Sequence, residues 1–268
     1  MEFLIKDKCY IKQQDNLEMM KGLRSESVDL VYSDILYNTG RTLKDYDDRL
    51  GTPQEAMEWY RPRLIEMKRI LKPTGSIYLQ CDCRLVHYLK VLMDEIFGMK
   101  NFQNDIVWCY RTQGFNRNKW SQKHDNILFY SKSKKFTFNL EDVREKEISK
   151  STQKRWGKEI KETGLIPTMK NGKLYQSSPY SPPRDWMVIN ALAQAHREKL
   201  DYVTQKPKEL ITRFIKASSN EGDVVADFFM GSCTTGEVAL ELDRKFIGCD
   251  IGEKAFNVSK ERLQRFNK

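Results

Sequence analysis

Two acids that follow short apolar runs define the chemistry open to this chain. Val28-Asp-Leu-Val-Tyr-Ser33 alternates as a strand does and delivers Asp34, with a turn at Tyr37-Asn-Thr-Gly40 just beyond. Open α/β sheets bind and transform ligands at the C-terminal edge of their strands. Asp34 and Tyr37 therefore offer a hydrogen-bond acceptor and an aromatic surface at such an edge. Near the other end of the chain, Asp223-Val-Val-Ala-Asp227 runs into a loop of small residues around Gly231 and Ser232. Small residues let a backbone approach a ligand closely. The next strand, Lys245-Phe-Ile-Gly-Cys249, ends in Asp250, 23 residues after Asp227. An acid at that position, about 20 residues on, can accept hydrogen bonds from ribose hydroxyls. The loop carries no Gly-x-Gly-x-x-Gly pattern, which argues against a pyrophosphate at the helix N-terminus and fits a nucleoside ligand without phosphates.

The elements that must hold these residues can be read from periodicity. Apolar residues at Met57, Tyr60, Leu64, Met67 and Leu71 predict a helix from Pro53, stopped by Lys72-Pro-Thr-Gly75. Gly75 to Gln80, Asp105 to Trp108 and Asn126 to Tyr130 predict strands, and Leu85 to Phe97 a helix. Residues 138–202 follow no period and contain Pro167, Pro179, Pro182 and Pro183, so they are expected to form an insertion rather than a sheet layer. From Lys206 the order is helix, strand, loop, helix, strand, acid, helix. That is half of a doubly wound nucleotide-binding sheet. The expected division is one α/β domain from 1–138 and 202–268, with an inserted region at 139–201.

Charge adds a partner. The chain carries a formal +9, and all of it lies between Tyr110 and Tyr175, where 16 Lys and Arg face 7 Asp and Glu. A localised excess of this kind suits a polyanion. No apolar run approaches the roughly 18 residues of a membrane span, and the first residues carry no signal-peptide pattern, so a cytoplasmic protein is expected. The six cysteines show neither disulfide nor metal-ligand spacing, so no metal is expected.

Taken together, the motifs resemble the β-class amino-methyltransferases of DNA known from bacterial restriction-modification systems. In that family a tetrad Asp/Asn/Ser-Pro-Pro-Tyr/Phe/Trp comes first, a recognition region sits in the middle, and a cofactor loop Asp-x-Phe-x-Gly-Ser-Gly-Thr-Thr comes last. Here Asp34-Ile-Leu-Tyr37, Thr204-Gln-Lys-Pro207, Asp227-Phe-Phe-Met-Gly-Ser-Cys-Thr-Thr235 and Arg244-Lys-Phe-Ile-Gly-Cys-Asp250 appear in that circularly permuted order. The resemblance covers about residues 9–138 and 202–266. It departs at Ile35 and Leu36, which replace the two prolines, and at Cys233, which replaces the second loop glycine. Cys233 is tolerated if its φ is negative and strained if positive.

The resemblance implies a mostly parallel sheet of the S-adenosylmethionine-dependent methyltransferase type, with S-adenosylmethionine as cofactor and double-stranded DNA as substrate. Asp34 and the carbonyl of Ile35 would accept the two N–H bonds of an exocyclic amine, and Tyr37 would stack on a base turned out of the helix. Asp34 rather than Ser at the first position favours N6 of adenine over N4 of cytosine. Asp227, Phe229, Gly231, Ser232, Thr234 and Asp250 would hold the cofactor. Lys206 and Pro207 would form a far wall, and Asp15 would contact its adenine or cap a helix. Arg111, Arg117, Lys119, Lys123, Lys154 and Arg155 are phosphate or base-edge candidates. A restriction endonuclease partner and a homodimer are compatible with the family. Three alternatives stay open: N4-cytosine methylation, a catalytically impaired DNA-binding member motivated by Ile35, Leu36 and Cys233, and an RNA or small-molecule methyltransferase.

Overall fold

A computed structural model describes residues 1–111, 116–145, 147–171 and 173–267. The chain divides into two compact units, Met1–Phe138 with Asp185–Lys268, and Asn139–Arg184.

The larger unit is built on a nine-stranded sheet. In chain order its strands are β1 (Glu2–Ile5), β2 (Cys9–Gln13), β3 (Val28–Asp34), β4 (Leu71–Cys81), β5 (Phe102–Cys109) and β6 (His124–Ser131). β7 (Ile166–Lys170) and β8 (Lys173–Ser177) belong to the smaller unit, and β9 (Trp186–Val188), β10 (Val224–Asp227) and β11 (Lys245–Asp250) complete the sheet. The spatial order is β1-β2-β11-β10-β3-β4-β6-β5-β9. The central run from β2 to β4 is parallel, whereas β1 and β6 join their neighbours antiparallel.

Strand alternation explains why helices cover both faces. On β4, Tyr78 packs with Phe129 and Phe214 on one side, while Ile77 and Leu79 join Leu64 and Met67 on the other. The first face is covered by α5 (Lys208–Ser218), α6 (Thr234–Glu241) and α7 (Glu253–Gln264). The second is covered by α1 (Asn16–Lys21), α2 (Pro53–Ile70) and α3 (Val86–Met93). α2 starts where its residues dictate. Thr52 accepts from the Glu55 N–H, the Glu55 carboxylate accepts from the Thr52 N–H, and Pro53 occupies the first turn. The fold is thus the doubly wound, mostly parallel sheet that the sequence predicts. Among the described residues, no helix is long and apolar enough to cross a membrane.

Two sequence expectations need correction. The insertion ends at Arg184 rather than at 201. The reason is β9, which pairs parallel with β5 through Val107↔Trp186 to Cys109↔Val188 and so returns residues 185–201 to the main sheet's unit. The insertion is also more regular than its prolines suggest. It contains α4 (Lys150–Thr163) and the antiparallel β7–β8 hairpin, and α4 is capped by the Ser149 side chain at its N-terminus and by left-handed Gly164 at its C-terminus.

Candidate active site

Because β2, β11, β10 and β3 are neighbouring parallel strands, the acids that follow them emerge on one edge of the sheet. A cavity of about 290 Å³ opens there, and Asp15, Asp250, Asp227 and Asp34 all line it. Residues separated by up to 235 positions in sequence thus meet at one site.

Each acid is held differently. Asp250 accepts the Gly231 N–H on Oδ2 at 3.0 Å and the Gly252 N–H on Oδ1 at 2.9 Å. Burial raises the carboxyl above its ordinary range, opposed by backbone hydrogen bonds from Gly252, Gly231 and Ile251. Asp227 is consumed by the loop it begins. It accepts from the Phe229 N–H at 3.0 Å, the Thr235 hydroxyl at 2.7 Å and the Ser33 hydroxyl at 3.3 Å. Burial pushes its carboxyl up to about 7 despite these partners. Asp15 caps α1 through the Leu17 and Glu18 N–H groups and pairs with Arg63 at 2.9 Å. It is therefore a helix cap that also faces the cavity.

Asp34 lies at the end of β3, in register with Gln80 on β4. Its Oδ1 accepts the Tyr37 hydroxyl at 2.7 Å, and its Oδ2 is paired with the Lys206 ammonium. Desolvation raises its carboxyl, Lys206 opposes that rise, and Asp125 adds to it. Ile35 and Leu36 follow along the cavity wall. In place of a proline, Ile35 supplies an N–H that donates to the Gln80 carbonyl at 3.2 Å, which carries the β3–β4 pairing one residue further. The Tyr60 hydroxyl fixes the Leu36 carbonyl at 2.7 Å.

The late loop contributes Phe229, Gly231, Ser232 and Thr234 to the cavity. Gly231 has φ +48°, where a residue with a Cβ is strained, and a Cβ there would stand 3.1 Å from the Tyr202 ring, which would have to give way. Cys233 takes φ +58°, the strained outcome, at about 1–2 kcal/mol for a residue with a Cβ. Its side chain is fully buried among the core residues and is absent from the cavity wall, so it does not narrow the cavity.

The remaining candidates occupy different places in the structure. Lys206 lines the cavity, but Pro207 does not; it precedes α5 as the cap residue. Tyr37 is also off the cavity wall, because its hydroxyl is drawn inward between Asp34 and Asp125. Arg111, Arg117 and Lys119 are exposed, and Lys123 is half-buried. Part of that segment, 112–115, lies outside the described residues. Lys154 and Arg155 are exposed on α4 of the smaller unit, with Arg155 5.0 Å from the Trp156 ring centre. The surface candidates therefore fall on two units.

Several site residues carry no signal of their own in the sequence. Trp59 forms an aromatic wall with Phe229, which the sequence did single out, and the Arg63 guanidinium lies 3.4 Å from the Trp59 ring centre. Arg63 also fixes the Asn16 side chain at 2.7 Å, and Asn16 donates to the Phe228 carbonyl at 3.1 Å. Asp125, Gln80, Tyr32 and Tyr110 build the polar network behind Asp34. The α2 spacing of Trp59 and Arg63 could have indicated that pair, since residues four apart share a helix face.

Comparison with known proteins decides what this site belongs to. The sequence profile of the N6/N4-type DNA methylases matches residues 28–261. The chain belongs to the DNA methylase family.

Two sequence relatives support the assignment. The methylase is 32% identical over 249 residues to the type II methyltransferase M.HpaI of Haemophilus parainfluenzae, covering 92% of this chain and 71% of the relative. It is 31% identical to the DNA adenine methyltransferase YhdJ of Escherichia coli K12, over 93% of this chain and 80% of that one. Among solved structures, the fold resembles the cytosine-N4-specific PvuII DNA methyltransferase, with a TM-score of 0.68 at 18% identity over 96% and 86% of the two chains. It also resembles M1.HpyAVI in complex with S-adenosylmethionine, with a TM-score of 0.57 at 22% identity over 95% and 100%. S-adenosylmethionine is the methylase's cofactor. The cavity suits it chemically, with aromatic walls for a purine, the Asp250 carboxylate on the wall for ribose hydroxyls, and several carboxylates for a sulfonium cation.

Proposed function

We propose that this methylase transfers a methyl group to N6 of an adenine extruded from double-stranded DNA. The observation that carries the reading is Asp34, which stands at the strand edge on the wall of the cavity that also contains Asp250 and Gly231. An exocyclic amine is a poor nucleophile because its lone pair is delocalised into the ring. Asp34 would accept one of its N–H bonds and the Ile35 carbonyl the other, drawing the nitrogen toward tetrahedral geometry. The protein's contribution is then alignment and electrostatics. When bound, S-adenosylmethionine supplies a methyl group on a positively charged sulfur. Asp250 would accept its ribose hydroxyls, Asp15 and the Trp59–Phe229 wall would receive its adenine, and Ser232 and Thr234 would meet its polar end. Tyr37, anchored by its hydroxyl, would turn a ring face to the extruded base.

Two observations favour adenine over cytosine. The first tetrad residue is Asp rather than Ser, and a 31%-identical relative is named an adenine methyltransferase. The exposed cations Arg111, Arg117, Lys119, Lys154 and Arg155, with half-buried Lys123, are the proposed DNA contacts, supported by the charge excess of that part of the chain.

The test is incubation with labelled S-adenosylmethionine and mixed-sequence DNA, followed by digestion and identification of the modified nucleoside. N6-methyladenine is expected, with all label lost in Asp34→Ala. N4-methylcytosine would overturn the adenine reading, and absence of label in the unmodified enzyme would favour an impaired DNA-binding member.

A further inference from the structure

The Lys206 ammonium stands beside the carboxylate proposed to receive the target amine. It is paired with Asp34 Oδ2, while the Tyr37 hydroxyl holds Oδ1 at 2.7 Å. Both Asp34 and Lys206 line the cavity, and the Lys206 side chain is only 13% exposed, so bulk water competes little for its hydrogens. An ammonium has three hydrogens to donate and no lone pair to accept with. Among the described residues, one hydrogen goes to Asp34 and a second, at 3.4 Å, to the Thr204 carbonyl. The third is left for a ligand in the cavity.

A carboxylate oxygen next to an ammonium presents an acceptor beside a donor. Such an oxygen can accept more than one hydrogen bond, so Asp34 Oδ2 can take an amine N–H without releasing Lys206. Adenine offers the complementary edge. Its N6 amine donates, the neighbouring ring nitrogen N1 accepts, and an extruded base is read on this Watson–Crick edge. With the amine on Asp34, N1 comes next to Lys206. Guanine and thymine carry a carbonyl beside a ring N–H there, which would set acceptor against carboxylate and donor against ammonium. Cytosine presents the same order as adenine through N4 and N3, so the pair excludes guanine and thymine rather than cytosine.

The Tyr37 ring fits the same pose. A donor bonded at ~2.9 Å to a ring nitrogen, in the plane of a base stacked ~3.5 Å above that ring, would stand about 5–6 Å from the ring centre. Lys206 Nζ stands 5.4 Å from it.

We infer that Lys206 donates a hydrogen bond to N1 of the target adenine and, with Asp34, selects bases that carry an amine beside a ring acceptor. This rests on the reading of Asp34 as the acceptor of the adenine amine. It gives Lys206 a role toward the base in addition to the wall of the cofactor pocket that the family resemblance implies.

The experiment locates the methylated adenine by sequencing DNA modified as above. Duplexes with adenine, 1-deazaadenine or 7-deazaadenine at that position are then compared. 1-Deazaadenine lacks only the N1 acceptor. It also pairs more weakly and is extruded more easily, which works against the expected loss. The unmodified enzyme should lose about tenfold or more in kcat/KM on 1-deazaadenine, the effect of one hydrogen bond from a charged donor. Lys206→Met should methylate adenine and 1-deazaadenine within about twofold of each other, since the partner of N1 is already gone. A role of Lys206 confined to folding or to the charge of Asp34 would leave the full penalty in the variant, and that result would overturn the inference, as would equal transfer to both bases by the unmodified enzyme. Should Lys206→Met fail to fold, the unmodified enzyme still decides: a loss on 1-deazaadenine well beyond that on 7-deazaadenine supports the contact, and a loss no larger overturns it. An active Asp34→Ala, or label on cytosine, would instead sink the functional reading before any analogue is made, so the two failures are distinguishable.

Discussion

Lys206, just ahead of α5, sets its ammonium against Oδ2 of Asp34 at the end of β3, 172 residues earlier in the chain. The pair joins the segment that precedes the cofactor loop to the proposed acceptor of the target amine. It also opposes the cost of burying Asp34, whose carboxyl is raised by desolvation and by Asp125 and lowered by Lys206 and Tyr37.

That balance predicts a pH effect. The reaction as proposed needs Asp34 charged. Removing the cation in Lys206→Met leaves desolvation and Asp125 less opposed, so the Asp34 carboxyl rises further and protonates at higher pH. The acid limb of the kcat/KM profile should therefore move toward higher pH, measured with DNA substrate across the acidic range. Superimposable acid limbs in the two proteins would remove Lys206 from this role.

Asp250→Ala should weaken S-adenosylmethionine binding by roughly ten- to a hundredfold, the range of about 1.5–3 kcal/mol for a hydrogen bond to a charged group. The substitution also frees the Gly231 and Gly252 N–H groups that shape the loop. Titration calorimetry with the cofactor measures the loss, and DNA affinity without cofactor serves as the control. Unchanged cofactor affinity would exclude Asp250 from holding the ribose.

Ile35→Pro restores the family's residue but removes the N–H that donates to Gln80 O. The variant should be less stable by about 1–3 kcal/mol, because a buried carbonyl loses its partner. Denaturant unfolding provides the measurement. A variant as stable as the parent would mean that the extended β3–β4 pairing contributes nothing.

Lys154→Ala and Arg155→Ala address the DNA surface. If both meet phosphates, each should lower the slope of log affinity against log salt by about one and weaken binding similarly for all sequences. Fluorescence anisotropy with duplexes of different sequence, over a salt series, separates this from base reading. A slope equal to that of the unmodified protein would place both residues away from the DNA backbone.

How much of this was legible in advance depends on the range of the interactions concerned. The strands ending in Asp34, Asp227 and Asp250 could be read because alternation and small-residue turns are local. The permuted order of the motifs was equally visible, and it carried the family assignment as much as the tetrad's own letters did. β9 could not be read, because three residues make no pattern and their place is set by pairing with β5. The sign of φ at Cys233 was also beyond the sequence, since a single residue type does not fix a backbone angle that the surrounding loop imposes.

By itself the sequence determined which acids end which strands; that they share one sheet edge follows from the parallel order of β2, β11, β10 and β3. Only the tertiary structure decided which partners those acids keep. Asp125 reaches Tyr37 because β6 runs antiparallel beside β4 and brings His124–Ser131 against the strand that carries Gln80. Lys206 reaches Asp34 because α5 packs across the face of β3. The proton affinity of a buried carboxylate is fixed by those neighbours and by the loss of water around it, and neither is a property of the residue or of its place in the chain.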